Sequence, residues 1–120
     1  AILGTNSYDS IVEALEETLQ HKFYKNFHTL SGLPQLSTKR TVTTGGHYAY
    51  LKIAEGCNKN CTYCVIPSVR GRYRSVPMDE LVTSAEELVA GGVKELILVS
   101  QETTLYGVDL YYLLLSGGNL

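Results

Sequence analysis

The residues best suited to chemistry are the chain's only three cysteines, which lie within eight residues as Cys57-Asn58-Lys59-Asn60-Cys61-Thr62-Tyr63-Cys64. An odd number of thiols crowded together makes a poor disulfide framework and points instead to a reducing compartment and a metal. We read Cys57, Cys61 and Cys64 as three ligands of an iron–sulfur cluster. A cubane of four irons is ordinarily held by four cysteines. Three thiolates leave one iron open, which suits direct binding of a substrate or cofactor better than simple electron transfer.

Other chemistries compete for the same loop. Structural zinc takes four closed ligands, so His47 or His28 would have to complete the set, and the two separated ligand pairs usual in zinc modules are missing. Such a site would make the chain a small metal-binding interaction module. A nucleophilic Cys-His arrangement needs fewer thiols than stand here, and Asn58-Lys59-Asn60 is too polar for cysteines that only fill a core. Nearby, Lys52, Lys59 and the loop's backbone N–H groups can stabilise a reduced, more negative cluster. The ring of Tyr63 can flank a bound cofactor or pack the loop onto a sheet. Gln101 and Thr103 can hydrogen-bond a cofactor's amino-acid portion or cap a turn. His21, His28 and His47 are scattered and read as surface or connector positions. No catalytic acid, base or nucleophile is identified.

The elements that must position the loop follow from hydrophobic patterning. Tyr48–Ile53 reads as a buried strand, so the cysteines leave a strand end. Pro67 stops any helix begun in the loop, and Gly71 permits a turn. A helix follows with Pro77 at its first position, Asp79 and Glu80 in its first turn, and Leu81, Ala85 and Leu88 with Val82 and Val89 as its apolar face. Gly91 and Gly92 end it. Residues 95–100, Glu-Leu-Ile-Leu-Val-Ser, form a second strand of the kind buried in a parallel sheet. The order strand, loop, helix, strand is a βαβ unit with a right-handed crossover. Ligands collect beyond the carboxyl ends of such strands, where both the cysteine loop and Ser100-Gln101-Glu102-Thr103-Thr104 fall.

Upstream, Asn6 or Ser7 can cap a helix of about three turns in which Ser10 and Glu13 have capping-box spacing, with Ile11, Leu15 and Leu19 on one apolar face beside Val12. That face needs a partner the preceding residues do not offer. Residues 20–46, with Gly32, Pro34, Gly45 and Gly46, carry no period and read as a connector. One βαβ unit cannot close a barrel, so the chain is expected to be part of a larger fold.

Composition fits a soluble globular protein, 44% apolar and 18% charged over 120 residues, with no run near the roughly 20 apolar residues that span a bilayer. The start lacks signal-peptide features, so a cytoplasmic location is expected, without membrane contact. The net charge of −2 is unevenly spread. Residues 39–74 hold seven basic side chains against Glu55 alone, a net of +6, whereas residues 75–120 net −6. The basic zone brackets the cysteines and can attract an anionic substrate, a cofactor carboxylate or RNA, or be ordinary solvated charge.

The cysteine spacing, with Tyr63 beside the last cysteine, resembles the signature of the radical S-adenosylmethionine (SAM) enzymes. Tyr50-Leu51-Lys52-Ile53-Ala54-Glu55-Gly56-Cys57 and Ile66-Pro67-Ser68-Val69-Arg70-Gly71 resemble the methylthiotransferase branch. Ser100-Gln101-Glu102-Thr103-Thr104-Leu105-Tyr106-Gly107-Val108-Asp109 is similar to the type acting on ribosomal-protein aspartate, the RimO type, whereas tRNA-modifying relatives tend to carry Gly-Gln-Asn-Val-Asn there. The resemblance implies a [4Fe-4S] cluster on Cys57, Cys61 and Cys64 whose open iron chelates SAM. It implies reductive cleavage of SAM to methionine and a 5′-deoxyadenosyl radical, hydrogen abstraction from an aspartate β-carbon, and addition of sulfur and methyl.

The resemblance further implies an α/β fold: the opening βαβ unit of a partial TIM-like barrel. In that division residues 1–24 are the terminal helix of an amino-terminal domain, 25–46 a linker and 47–120 the start of the radical SAM domain. Implied partners are a small-subunit ribosomal protein, an electron donor such as a flavodoxin or ferredoxin, and RNA through a carboxy-terminal domain. A tRNA substrate is the alternative within the family. The family's second [4Fe-4S] cluster has no ligands here, since no cysteine precedes Cys57, and the segment alone is expected to be inactive. Val76 stands where relatives commonly carry arginine, and residues 111–120 fit the family poorly.

Overall fold

A computed structural model describes residues 1–33 and 40–115. Pro34 and Lys39, and residues 116–120 of the tail, lie outside the described residues. In chain order the elements are β1 (Ile2–Leu3), α1 (Ile11–Leu19), β2 (Lys25–Asn26), β3 (Tyr48–Lys52), β4 (Ala54–Glu55), α2 (Ile66–Arg70), β5 (Arg74–Ser75), α3 (Met78–Ala90), β6 (Glu95–Val99) and α4 (Val108–Leu115). Short 3-10 turns occupy Tyr8–Ser10 and Thr103–Leu105.

The predicted strand, loop, helix, strand order is present. β3 and β6 pair in parallel from Tyr48 opposite Glu95 to Lys52 opposite Val99, and α3 lies between them in sequence. Leu81 and Leu88 are the buried residues of α3. Leu81 joins Leu51, Ile53 and Val76 in one apolar cluster, with Ala85, Leu96 and Tyr106 against it; Leu88 joins Ala49 and Val93 in a second. Val82 and Val89, expected on the same face, are exposed, because a helix on a two-stranded sheet has little to cover beyond the Leu81–Leu88 stripe. Val76 is a core side chain. The described residues form no closed barrel.

Two prolines differ from expectation, Pro77 read as a first helical position and Pro67 as a helix stop. Pro77 has φ −54° and ψ 144° and stands just before α3 rather than within it. Pro67 falls in the first turn of α2, so it opens a short helix after the cysteine loop; its missing N–H costs nothing there. The end of α3 is as expected. Gly92, at φ +99°, donates to Val89 O at 2.9 Å and Val93 to Leu88 O at 3.1 Å, which closes the helix with paired carbonyls. The end of α1 uses the same geometry with His21 at φ +60°, its N–H bonded to Thr18 O and that of Lys22 to Glu17 O.

The capping box of α1 does not form: Ser10 stands at its N-terminus without a side-chain cap bond. The Ser10 hydroxyl instead accepts from Asn26 Nδ2 at 3.0 Å. Asn6 donates to the carbonyls of Thr29 and Gly32, and Ser7 Oγ accepts from His28 N at 2.7 Å. These side chains tie residues 26–32 back to the chain start, where β2 pairs in parallel with β1, inside the stretch read as connector. Among the described residues nothing covers the apolar face of α1: Ile11, Val12 and Leu15 are exposed and Leu19 is 80% exposed.

Candidate metal centre

Residues 56–65, which hold the three cysteines, form a loop with neither helix nor strand, leaving the sheet just beyond β3. Its two ends are clamped together. β4 and β5 pair antiparallel, Ala54 opposite Ser75 and Glu55 opposite Arg74. Cys57 N donates to Gly71 O at 3.2 Å, and Tyr73 N donates to Asn58 Oδ1 at 3.0 Å. Gly56 sits at φ +78°, and a Cβ there would lie 2.3 Å from Arg72 O. Only glycine allows the loop's entry to press against its exit.

Beneath this clamp lies a group the sequence reading missed. Glu55 is only 1% exposed. Its carboxylate pairs with Lys52 Nζ, lies 3.6 Å from Arg70 Nη1 and accepts from Gly56 N at 3.2 Å. A carboxylate is seldom buried unless paired. The signal available was compositional, a single acid among seven basic residues.

Other cations of the basic zone are likewise engaged. Lys59 pairs with Glu102, Arg74 donates to the carbonyls of Arg70 and Arg72, and Arg40 donates to Tyr50 O. The hydrogen bond and charge of Glu102 hold the Lys59 ammonium above its ordinary pKa. The hydrogen bonds from Lys59 and then Thr104 hold the Glu102 carboxyl below its own.

Cys57 and Cys64 are half-buried and Cys61 exposed, all as free thiols. Cys64 N donates to Cys61 O at 3.0 Å, and Lys59 N donates to Cys57 Sγ at 3.4 Å. Among the described residues no three His, Cys, Asp or Glu side chains already stand together at metal-binding distance. Neither His28 nor His47 therefore makes such a group with the thiols. The donor set itself fits an iron–sulfur cluster: three soft sulfurs on one accessible loop, with a backbone donor facing one of them.

Of the expected cofactor contacts, Tyr63 is 91% exposed and packs the loop onto nothing. Gln101 Oε1 accepts from Gly56 N at 3.0 Å, so this side chain reaches the cysteine loop itself. Thr103 opens a 3-10 turn, its carbonyl accepting from Tyr106 N at 3.2 Å. Both residues stand beyond β6 on the rim where the cysteine loop leaves β3, as the strand order implies.

A buried polar set supports the same rim. Ser75 N and Ser75 Oγ donate to Asp109 at 2.8 and 2.5 Å, and Gly107 N donates to Ser75 Oγ at 2.9 Å. Tyr106 OH donates to Val76 O at 2.9 Å, while the buried Tyr73 OH has no partner among the described residues. Burial pushes the phenols of Tyr73 and Tyr106 up. A cleft of about 300 Å³ opens elsewhere, lined by Arg40, Val42, Lys52, Glu87 and Leu88, and no cysteine lines it.

The sequence of residues 51–116, more than half the chain, matches the radical SAM superfamily. The chain belongs to that superfamily. It is similar to proteins named ribosomal protein uS12 methylthiotransferase RimO: 57% identical to that of Lachnoclostridium phytofermentans over 92% of this chain and 25% of the relative. The relative from Thermoanaerobacter sp. is 47% identical over 92% of this chain and 26% of its own length. That of Stenotrophomonas maltophilia is 48% identical over 93% and 23%. The chain thus spans about a quarter of the length of the curated relatives it matches. As a radical SAM chain it falls in a class that uses a [4Fe-4S] cluster and SAM. No helix among the described residues is long and apolar enough to cross a membrane.

Proposed function

We propose that this chain is the cluster- and SAM-binding segment of a cytoplasmic enzyme that methylthiolates the β-carbon of an aspartate in ribosomal protein uS12. The observation that carries the reading is the three-thiol loop at the carboxyl end of β3, clamped at its base and facing the end of β6, in a chain 57% identical to a uS12 methylthiotransferase. Cys57, Cys61 and Cys64 would hold the cluster and leave one iron for the amino and carboxylate groups of SAM. When bound, the cluster would supply the electron for reductive cleavage of SAM.

The chain's own residues bind and orient. In this reading the exposed ring of Tyr63 flanks the cofactor, and Gln101 and Thr103 hydrogen-bond its amino-acid portion. Lys59, between Cys57 and Cys61, would place a cation beside the cluster, which is more negative when reduced. In this reading β3, α3 and β6 open a partial TIM-like barrel. Residues 1–24 end an amino-terminal domain that carries the second cluster, 25–46 link it, and 47–120 begin the radical SAM domain. A flavodoxin or ferredoxin supplies electrons, a carboxy-terminal domain contacts RNA, and the segment alone is inactive.

The substrate is tested in cells lacking the gene, by mass spectrometry of uS12 and of tRNA. Loss of a 46-dalton methylthio increment (roughly the mass of SCH2, from the reaction class) on uS12 is expected. Loss of a tRNA modification with uS12 unchanged would contradict the assignment.

A further inference from the structure

Two consecutive residues at the end of β6 grip the cysteine loop on either side of Cys57. Gln101 Oε1 accepts from Gly56 N at 3.0 Å, and the Glu102 carboxylate pairs with Lys59 Nζ. Glu102 is itself held, since its N–H donates to Ser100 Oγ at 3.2 Å and its other oxygen accepts from Thr104 Oγ1. Two further loop bonds, Cys57 N to Gly71 O and Tyr73 N to Asn58 Oδ1, come from the loop's own base. Gln101 and Glu102 therefore tie the loop to the second strand.

We propose that Gln101 and Glu102 are positioning residues: a two-point latch that fixes the cysteine loop, and Cys57 in particular, against the end of β6. The Lys59 side chain is 58% exposed and that of Glu102 15%, and an ion pair with its cation in solvent adds little to global stability. Its consequence is local order in residues 56–59. Gln101 thereby has a task on the chain itself, apart from any contact with a cofactor. The consequence for cluster retention rests on the function proposed above; the latch itself does not.

The test uses the metal-free chain first, with amide hydrogen exchange at Gly56 as the readout. Gln101→Leu removes the acceptor and is expected to speed exchange by about threefold, less than a whole lost hydrogen bond because Glu55 Oε1 still accepts in part. Gln101→Glu keeps an acceptor and should stay near wild type. Lys59→Glu and Glu102→Lys each place like charges together and should speed exchange, and the combined swap should restore it, with unfolding midpoints unmoved throughout. Unchanged exchange in Gln101→Leu, or a swap that fails to restore it, overturns the latch. The same variants after anaerobic reconstitution should lose iron to a chelator faster, again with recovery in the swap. A wild-type chain that takes up no cluster would overturn the proposed function, and the exchange result would still decide the latch.

Discussion

Arg70 Nη1 lies 3.6 Å from Glu55 Oε2, joining a residue before the first cysteine to the end of the helix that follows the last, across the base of the loop. With Lys52 on the same carboxylate, two partly exposed cations face one buried anion, and either can compensate it alone. Lys52→Met and Arg70→Met are each expected to cost about 1 kcal/mol. The double substitution strands a buried carboxylate and should cost about 3–5 kcal/mol. Denaturant unfolding of the four proteins checks this, and strictly additive losses would contradict the shared role.

Gly56→Ala should be far more costly than Gly92→Ala, although both positions have positive φ. At Gly92 a Cβ would meet nothing within 4 Å, so only backbone strain of roughly 1 kcal/mol is expected. At Gly56 the new carbon would sit 2.3 Å from Arg72 O, forcing β4 from β5 at a cost of about 3 kcal/mol or more. Thermal unfolding of both variants measures the difference; equal shifts would contradict the close approach.

Ser75→Ala should cost about 1–3 kcal/mol by leaving the buried Gly107 N–H without an acceptor. Ser75→Thr keeps the hydroxyl but adds a methyl at a site 1% exposed, and recovers only part of the loss. Unfolding midpoints of the two variants separate the missing hydrogen bond from the packing change.

What could be read from the sequence follows from which signals are local. α3 announces itself because Leu81, Ala85 and Leu88 repeat at helix spacing, and β3 and β6 because they are short apolar runs whose Leu51 and Leu96 pack with it. The β1–β2 and β4–β5 pairings hold two residues per strand, too short for any period, and arise only when distant segments meet. Ser10 has capping-box spacing, yet Asn26 takes its hydroxyl, a competition invisible to spacing. Among the candidate site residues the crowding of the cysteines was plain from spacing alone. Glu55 was not, because a charged side chain is ordinarily expected at the surface. The rim position of Gln101 was legible from strand order, whereas its bond to Gly56 depends on how far the cysteine loop leans over β6.

Tyr63→Ala should leave the unfolding midpoint unchanged to within about 0.5 kcal/mol of stability, since a ring 91% exposed supports no packing. The same variant should weaken the response of a reconstituted cluster to SAM. A fall in stability with an unaltered SAM response would assign Tyr63 to the scaffold instead.

The most direct measurement is anaerobic reconstitution of the chain with iron and sulfide, followed by EPR of the reduced protein with and without SAM. The account predicts a [4Fe-4S] signal that requires Cys57, Cys61 and Cys64 and changes when SAM is added. Stoichiometric, tightly bound zinc with no response to SAM would contradict it.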